Sequence, residues 1–273
     1  MKLIGVGDNV VDFFMDRGEM FPGGNALNVA VLSKRCGAEQ CAYMGIIGND
    51  EAGDHVLRSL TAEGIDVSHI RRAYGPNGLA VVALDEQGDR RFVRSNKGGV
   101  QKSMTLRFTE EDLAYFGQFD VLHTSVYSYV ERDLPLLSGY ADLSFDFSTK
   151  RDPDYLRNVC PNLKYAFFSG SDLSEAECGK LIADVHACGT PVVGVTRGGQ
   201  GAMFSSGGRL CKQAIAEENV VDTLGAGDSF IAAFLTAYGS GAEMQEALRF
   251  AAEAAAKTCA HYGAFGYGVP YKE

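Results

Sequence analysis

Residues 222–230, DTLGAGDSF, place Gly225 and Gly227 on either side of one alanine, with a carboxylate, Asp228, directly after them. The wider segment NVVDTLGAGDSF runs into the apolar IAAFLTAY, so the glycines fall where a loop enters a helix. Unpaired amides of the first helical turn make such a junction a site for an anion. A side chain would hold an oxyanion away from the backbone, and the positive helix end favours negative charge developing there. Asp228 is placed to accept a proton from a hydroxyl attacking a phosphoryl group in that cradle, and phosphoryl transfer needs both functions side by side. Asp and Ser are also common helix starters, so the same residues read equally well as a cap after a glycine turn.

The elements that must position this motif follow from the rest of the chain. Short apolar runs alternate with helical patterns: LIGVG (3–7), NALNVAVLSKRCG (25–37), AYMGIIG (42–48) and DEAGDHVLRSLTAEG (50–64). The rhythm returns in VLHTS (121–125), LSFDFS (143–148), YAFFS (165–169), SEAECGKLIADVHACG (174–189) and PVVGVT (191–196). Alternation of this kind predicts an α/β fold with one mostly parallel sheet. LAVVALDEQGDRRFVRS (79–95) breaks it, because two β-rich segments flank the turn Glu86-Gln87-Gly88-Asp89 and predict an antiparallel hairpin, a lid or small second sheet. The Gly-rich tail FGYGVPYKE is expected to extend over the surface.

Composition limits the function classes. The chain of 273 residues is 46% hydrophobic, enough for a substantial core, and its formal charge of -10 argues against nucleic-acid binding by broad phosphate neutralisation. Asp8 and Asp12 interrupt the N-terminal apolar run, so no signal peptide or spanning helix is expected there, and the expected location is cytoplasmic, with no membrane partner. Seven cysteines without a CxxC pair fit neither a disulfide framework nor a zinc site and are expected to be mostly buried small apolar side chains. The five histidines have no metal-ligand spacing, so any metal is expected to be a hard cation held by oxygen.

DTLGAGDSF closely resembles the C-terminal signature of the ribokinase-like, or PfkB, carbohydrate kinases, and FPGGNALNVAVLSKRCGAEQCAYMGIIGNDEAGDHV (21–56) resembles their N-terminal signature. The resemblance covers nearly the whole chain. It implies one ribokinase-like domain over residues 1–273, a three-layer α/β core with a mostly parallel central sheet, and a small β lid from about 12–22 and 75–98. It also implies an ATP-dependent, Mg²⁺-requiring sugar kinase with Asp228 as catalytic base and Gly225, Ala226 and Gly227 as the anion hole. The family's sugar site maps onto Asp12, Gly23, Gly24, Asn25 and Asn28. Those residue types suit a polyol, although an Asp ending a strand and an Asn capping the helix near 25 are the bland alternatives. VTRGGQG resembles the family's nucleotide loop, with Thr196, Gly198 and Gly201 in matching places, and adenosine would pass toward residues 255–263. Where the family has N-x-x-E, this chain reads GSDLSEAE, which leaves Glu175 as the residue to hold Mg²⁺ through water. A monovalent cation near Asp222 and a homodimer through the lid are further expectations of the resemblance.

The GDNVVD start, the GGNALNVA form of the sugar motif and the short chain resemble fructoselysine 6-kinases most closely. Arg91, Arg94 and Lys97, in RRFVRSNKGG, could meet the carboxylate of a sugar–amino-acid adduct, or stay solvated, or meet ATP phosphates. Another sugar or a nucleoside as substrate, and a non-catalytic sugar or nucleotide sensor on the same fold, remain the alternatives. A nicotinamide enzyme is disfavoured, because the third glycine of a G-x-G-x-x-G begun at Gly5 would fall on Val10.

Overall fold

The computed structural model describes residues 1–84 and 90–272, so the expected turn at 86–89 lies outside the described residues. In chain order the strands are β1 (Lys2–Val6), β2 (Val10–Phe14), β3 (Glu19–Gly23), β4 (Gln40–Met44), β5 (Ile46–Ile47), β6 (Arg71–Arg72), β7 (Leu79–Leu84), β8 (Arg90–Ser95), β9 (Val121–Ser125), β10 (Asp142–Asp146), β11 (Tyr165–Ser169), β12 (Val192–Thr196), β13 (Ala202–Ser206), β14 (Arg209–Gln213) and β15 (Val269–Pro270). The α-helices are α1 (Asn25–Arg35), α2 (Glu51–Ala62), α3 (Gly99–Ser103), α4 (Glu110–Phe116), α5 (Leu134–Leu137), α6 (Pro153–Val159), α7 (Glu175–Ala187), α8 (Ala226–Gly239) and α9 (Met244–Cys259).

The main sheet has the order β14-β13-β12-β11-β10-β9-β1-β4. It is parallel from β4 to β12, and the β12-β13-β14 end is antiparallel. Neighbouring strand residues feed opposite faces, as the two-residue period requires. Leu3, Val121 and Phe167 join a core with Leu27 of α1, Phe234 of α8 and Leu248 of α9. Ile4, Leu122 and Phe168 join the other, with Phe116 of α4, Leu137 of α5, Leu156 of α6 and Val185 of α7. Burial on both faces explains why these strands read as continuous apolar runs, and it gives the three-layer α/β core that the family resemblance implies.

A second sheet has the order β15-β3-β2-β7-β8, antiparallel except for the β2–β7 pair. Both segments expected to build a lid, 12–22 and 75–98, contribute strands to it. Two expectations are corrected. The run 42–48 is not one strand, since it breaks at Gly45 and its second half pairs with β6 in a separate two-stranded sheet. The tail does not merely cover the surface: Phe265 is buried, β15 pairs with β3, and Tyr271 meets Phe13 edge-on at 5.2 Å. Its alternating aromatic and apolar residues extend the second sheet by one strand. All seven cysteines are free thiols, four of them buried.

Candidate active site

A cavity of about 870 Å³ lies where the carboxyl ends of the central parallel strands face the second sheet. The strand order reverses beside β1, the position at which open α/β sheets leave a crevice for ligands. Asp8, just past β1, fixes the geometry there. Its carboxylate accepts the first-turn amides of α1, Asn25 N at 2.6 Å and Ala26 N at 3.2 Å, and the hydroxyls of Ser125 and Ser128 at 2.8 and 2.9 Å. An acid at a helix N-terminus is favourable, and this one aims α1 into the cavity.

Asn25 and Asn28, three residues apart, stand on one helix face and point at α8. Asn25 Nδ2 donates to Asp228 Oδ1 at 2.8 Å, and Asn28 Nδ2 donates to Asp228 Oδ2 at 2.7 Å. The capping alternatives fail at both ends of this contact. Gly24 is the N-cap of α1 and Gly225 that of α8, while the side chains of Asn25 and Asp228 bond each other. Burial pushes the Asp228 carboxyl up to about 6; the Asn28 and Asn25 amides oppose that rise and Asp8 adds to it. A carboxyl poised there can take a proton near neutral pH.

Around Asp228 the helix start has the form of an anion cradle. Gly225 has a φ of 76°, in the left-handed region, and an added Cβ would strike Ala264. At Gly227 an added Cβ would meet no protein atom within 4 Å and would project into open space. The first requirement is structural, whereas the second keeps room beside the amides of the first turn. Both glycines line the cavity.

Asp12 is buried on β2 and lines the cavity, and a Cβ at Gly23 would collide with its carboxylate. Gly24 and Thr196 also line it. Asn28 Oδ1 and Asn9 Oδ1 are buried with no hydrogen-bond partner among the described residues, acceptors that a ligand's hydroxyls can satisfy. Other expected residues are not brought to the cavity wall. Gly198 and Gly201 follow β12 without lining it, and Glu175 is exposed and ion-paired with Lys212 and, at 3.8 Å, with Arg197. Lys212 holds the Glu175 carboxyl below its ordinary range. Arg94 is exposed on β8 and absent from the lining, and the Arg91 side chain lies outside the described residues. Lys97 does line the cavity, with Lys102.

Three lining features escaped the sequence. Asp146, at the end of β10, accepts Asn25 Nδ2 at 2.8 Å and Ser148 N at 2.8 Å; burial, with Asp228 and Asp8 nearby, pushes it up to about 7. Ser148 and Tyr129 line the cavity in left-handed conformations, φ 52° and 58°, as does Lys97. Non-glycine residues held in that region mark imposed geometry. Lys102 Nζ lies 4.0 Å above the Tyr129 ring. A polar residue closing a predicted parallel strand, as in LSFDFS, was the available signal for Asp146.

The model of the pfkB family carbohydrate kinases matches residues 3–139 and 158–268. This chain belongs to that family. It is therefore an ATP-dependent carbohydrate kinase. It is 59% identical over 272 residues to the fructosamine kinase FrlD of Bacillus subtilis (strain 168), covering 100% of this chain and 95% of that one. It is 35% identical over 261 residues to the fructoselysine 6-kinase of Escherichia coli (strain K12), covering 95% and 98%. The fold matches Arabidopsis thaliana ribokinase complexed with ribose and ATP, at a TM-score of 0.81 and 20% identity over 97% and 95% of the two chains. No helix among the described residues is long and apolar enough to cross a membrane.

Proposed function

We propose that this kinase transfers the γ-phosphoryl group of ATP to a primary hydroxyl of a sugar–amino-acid adduct, with fructoselysine as the substrate. The observation that carries the reading is Asp228, held by Asn25 and Asn28 at the glycine-opened start of α8, in a cavity that also presents Lys97 and Lys102. The similarity to a fructosamine kinase and to fructoselysine 6-kinases supports the choice of substrate.

In this reading Asp12 and the Gly23–Asn25 segment hold sugar hydroxyls, with the unpartnered Asn28 Oδ1 as a further acceptor. Asp228 takes the proton of the primary hydroxyl as its oxygen attacks phosphorus, and the amides at Gly225, Ala226 and Gly227 face the charge on the transferring oxygens. Thr196, Gly198 and Gly201 belong to the nucleotide side. Mg²⁺ supplies neutralisation of the phosphate charge. For Glu175 to hold Mg²⁺ through water it must leave its ion pair with Lys212. The second sheet acts as lid, and its edge strand β8, with Phe92 and Val93 exposed, is the surface for a homodimer.

Initial rates with ATP and Mg²⁺ against fructoselysine, fructose, ribose and a nucleoside test the substrate. Fructoselysine should give the highest kcat/KM, and a clear win for ribose, fructose or a nucleoside overturns the assignment. Asp228→Asn should lower kcat by ~10²–10⁴ while nucleotide binding survives. Near-normal turnover removes Asp228 from the role of base.

A further inference from the structure

One nitrogen joins two carboxylates in this site. Asn25 Nδ2 lies 2.8 Å from Asp228 Oδ1 and 2.8 Å from Asp146 Oδ2. The two acids therefore face each other across a single amide group, close enough for the charge on one to be felt by the other.

The amide is fixed in that orientation from behind. His123 Nε2 lies 2.9 Å from Asn25 Oδ1, and His123 Nδ1 lies 2.8 Å from Ser144 Oγ. His123 is completely buried, and burial pushes its pKa down to about 3, so the ring is neutral with one N–H. With that hydrogen on Nε2, His123 donates to the Asn25 oxygen and accepts from the Ser144 hydroxyl. Asn25 then has both of its hydrogens left, one for each carboxylate. A flipped amide would aim its oxygen at two acids and its hydrogens at a donor.

We infer that Asp146 and Asp228 titrate as one coupled pair sharing a single proton near neutral pH, with Asp146 the positioning residue that sets when Asp228 is free to act as base. The role of Asp228 comes from the proposed function, and the pairing goes beyond it. Each acid has two donors: Asn25 and Asn28 for Asp228, Asn25 and the Ser148 amide for Asp146. Both are raised first by burial, and a second negative charge across the shared amide is resisted by the first.

Among the described residues, the other ionisable groups lining the cavity with the pair are Asp8 after β1, Asp12 on β2, Tyr127 after β9, and Tyr129, Lys97 and Lys102 across the cavity. The Asp8 charge is answered by two amides and two hydroxyls of its own. Tyr127, bonded to Ser148 Oγ at 3.0 Å, is pushed up by burial and by the nearby acids, so it stays neutral through this range.

Carboxyl carbon NMR of the full chain labelled at aspartate tests the pairing without any assay of turnover. In the wild type the Asp146 and Asp228 signals should each titrate in two steps with shared midpoints. In Asp228→Asn, Asp146 should titrate in one step, about one pH unit or more below its upper wild-type midpoint. In Asp146→Asn, Asp228 should titrate in one step, and the acidic limb of kcat/KM should become a one-proton limb. Independent single-step titrations, unmoved when the neighbour is replaced, overturn the inference. Should Asp146→Asn not fold, the wild-type and Asp228→Asn titrations decide it alone. A protein that phosphorylates no sugar while the two carbons still titrate together would sink the proposed function and leave the pairing standing.

Discussion

Asn28 and Asp228, 200 positions apart in the chain, meet at 2.7 Å between amide nitrogen and carboxylate oxygen. The contact fastens α1 to α8 and also tunes the base, since a donor that bonds the ionised form favours it. Asn25 holds the other oxygen of the same carboxylate, so neither amide alone determines its direction.

Removing one donor should therefore raise the proton affinity of Asp228. In Asn28→Ala the acidic limb of kcat/KM should move to higher pH, because the ionised carboxylate loses a bond that the protonated form uses less. A hydrogen bond to a charged group contributes about 1.5–3 kcal/mol and one pH unit corresponds to about 1.4, so a shift of about one to two units is expected. A limb that stays in place would mean that Asn28 does not tune Asp228.

Much of this site was legible in the sequence, for identifiable reasons. The glycine–acid junction at 225–228 is a local pattern visible within one turn of helix, and Asn25 and Asn28 came from the resemblance to the family's N-terminal signature. The alternation of apolar runs and helical segments gave the parallel core, because strands buried on both faces cannot hide their composition. What escaped was non-local. His123 reads as a solitary histidine and Asp146 as one polar residue in a strand, and only the β9–β10 register brings the one to the oxygen and the other to the nitrogen of the Asn25 amide. Of the lid cations read from the sequence, Lys97 lines the cavity and Arg94 does not, while Lys102, which also lines it, escaped because its place depends on how β8 leads into α3.

The two glycines of the cradle should respond differently to alanine. Gly225→Ala forces a side chain onto a residue with φ of 76° and drives its Cβ into Ala264, so it should lower the thermal midpoint. Gly227→Ala meets open space and should fold with wild-type stability, yet its methyl group enters the room kept beside the first-turn amides. Thermal unfolding and kcat together check this. Loss of stability in Gly227→Ala, or full activity in it, contradicts the assignment of that space to transferring oxygens.

His123 gives the fold a pH dependence of known sign. Its pKa in the fold, about 3, is depressed below the unfolded value of about 6.5, so its contribution is fully present above pH 6.5 and is lost as pH falls toward 3. Glutamine can donate to Asn25 and accept from Ser144 without titrating. Between pH 7 and pH 5 the wild type should lose about 2 kcal/mol relative to His123→Gln. Asp146 and Asp228, raised in the fold, act in the opposite direction, but they are common to both proteins and cancel in the difference. Urea unfolding of both proteins at the two pH values measures it, and an unchanged difference would mean that His123 accepts a proton in the fold.

The cavity cations offer the sharpest division between substrates. Fructose and fructoselysine share the hydroxyls that Asp12, Asn25 and Asn28 are proposed to hold, and they differ in the amino-acid portion, which carries a carboxylate. Lys97 and Lys102 line the cavity, and Lys102 is held over the Tyr129 ring at 4.0 Å, an arrangement that fixes its ammonium group where a carboxylate can meet it. A well-formed charge-assisted bond contributes about 1.5–3 kcal/mol, or roughly ten- to a hundredfold in KM. Lys102→Met keeps the length and apolar stem of the side chain while removing the charge. It should raise KM for fructoselysine by that factor, leave kcat within about twofold, and leave KM for fructose unchanged; Lys97→Met is the parallel case. Equal losses on both sugars would place these lysines on the nucleotide phosphates instead, and no loss on either would place the amino-acid portion of the substrate outside their reach.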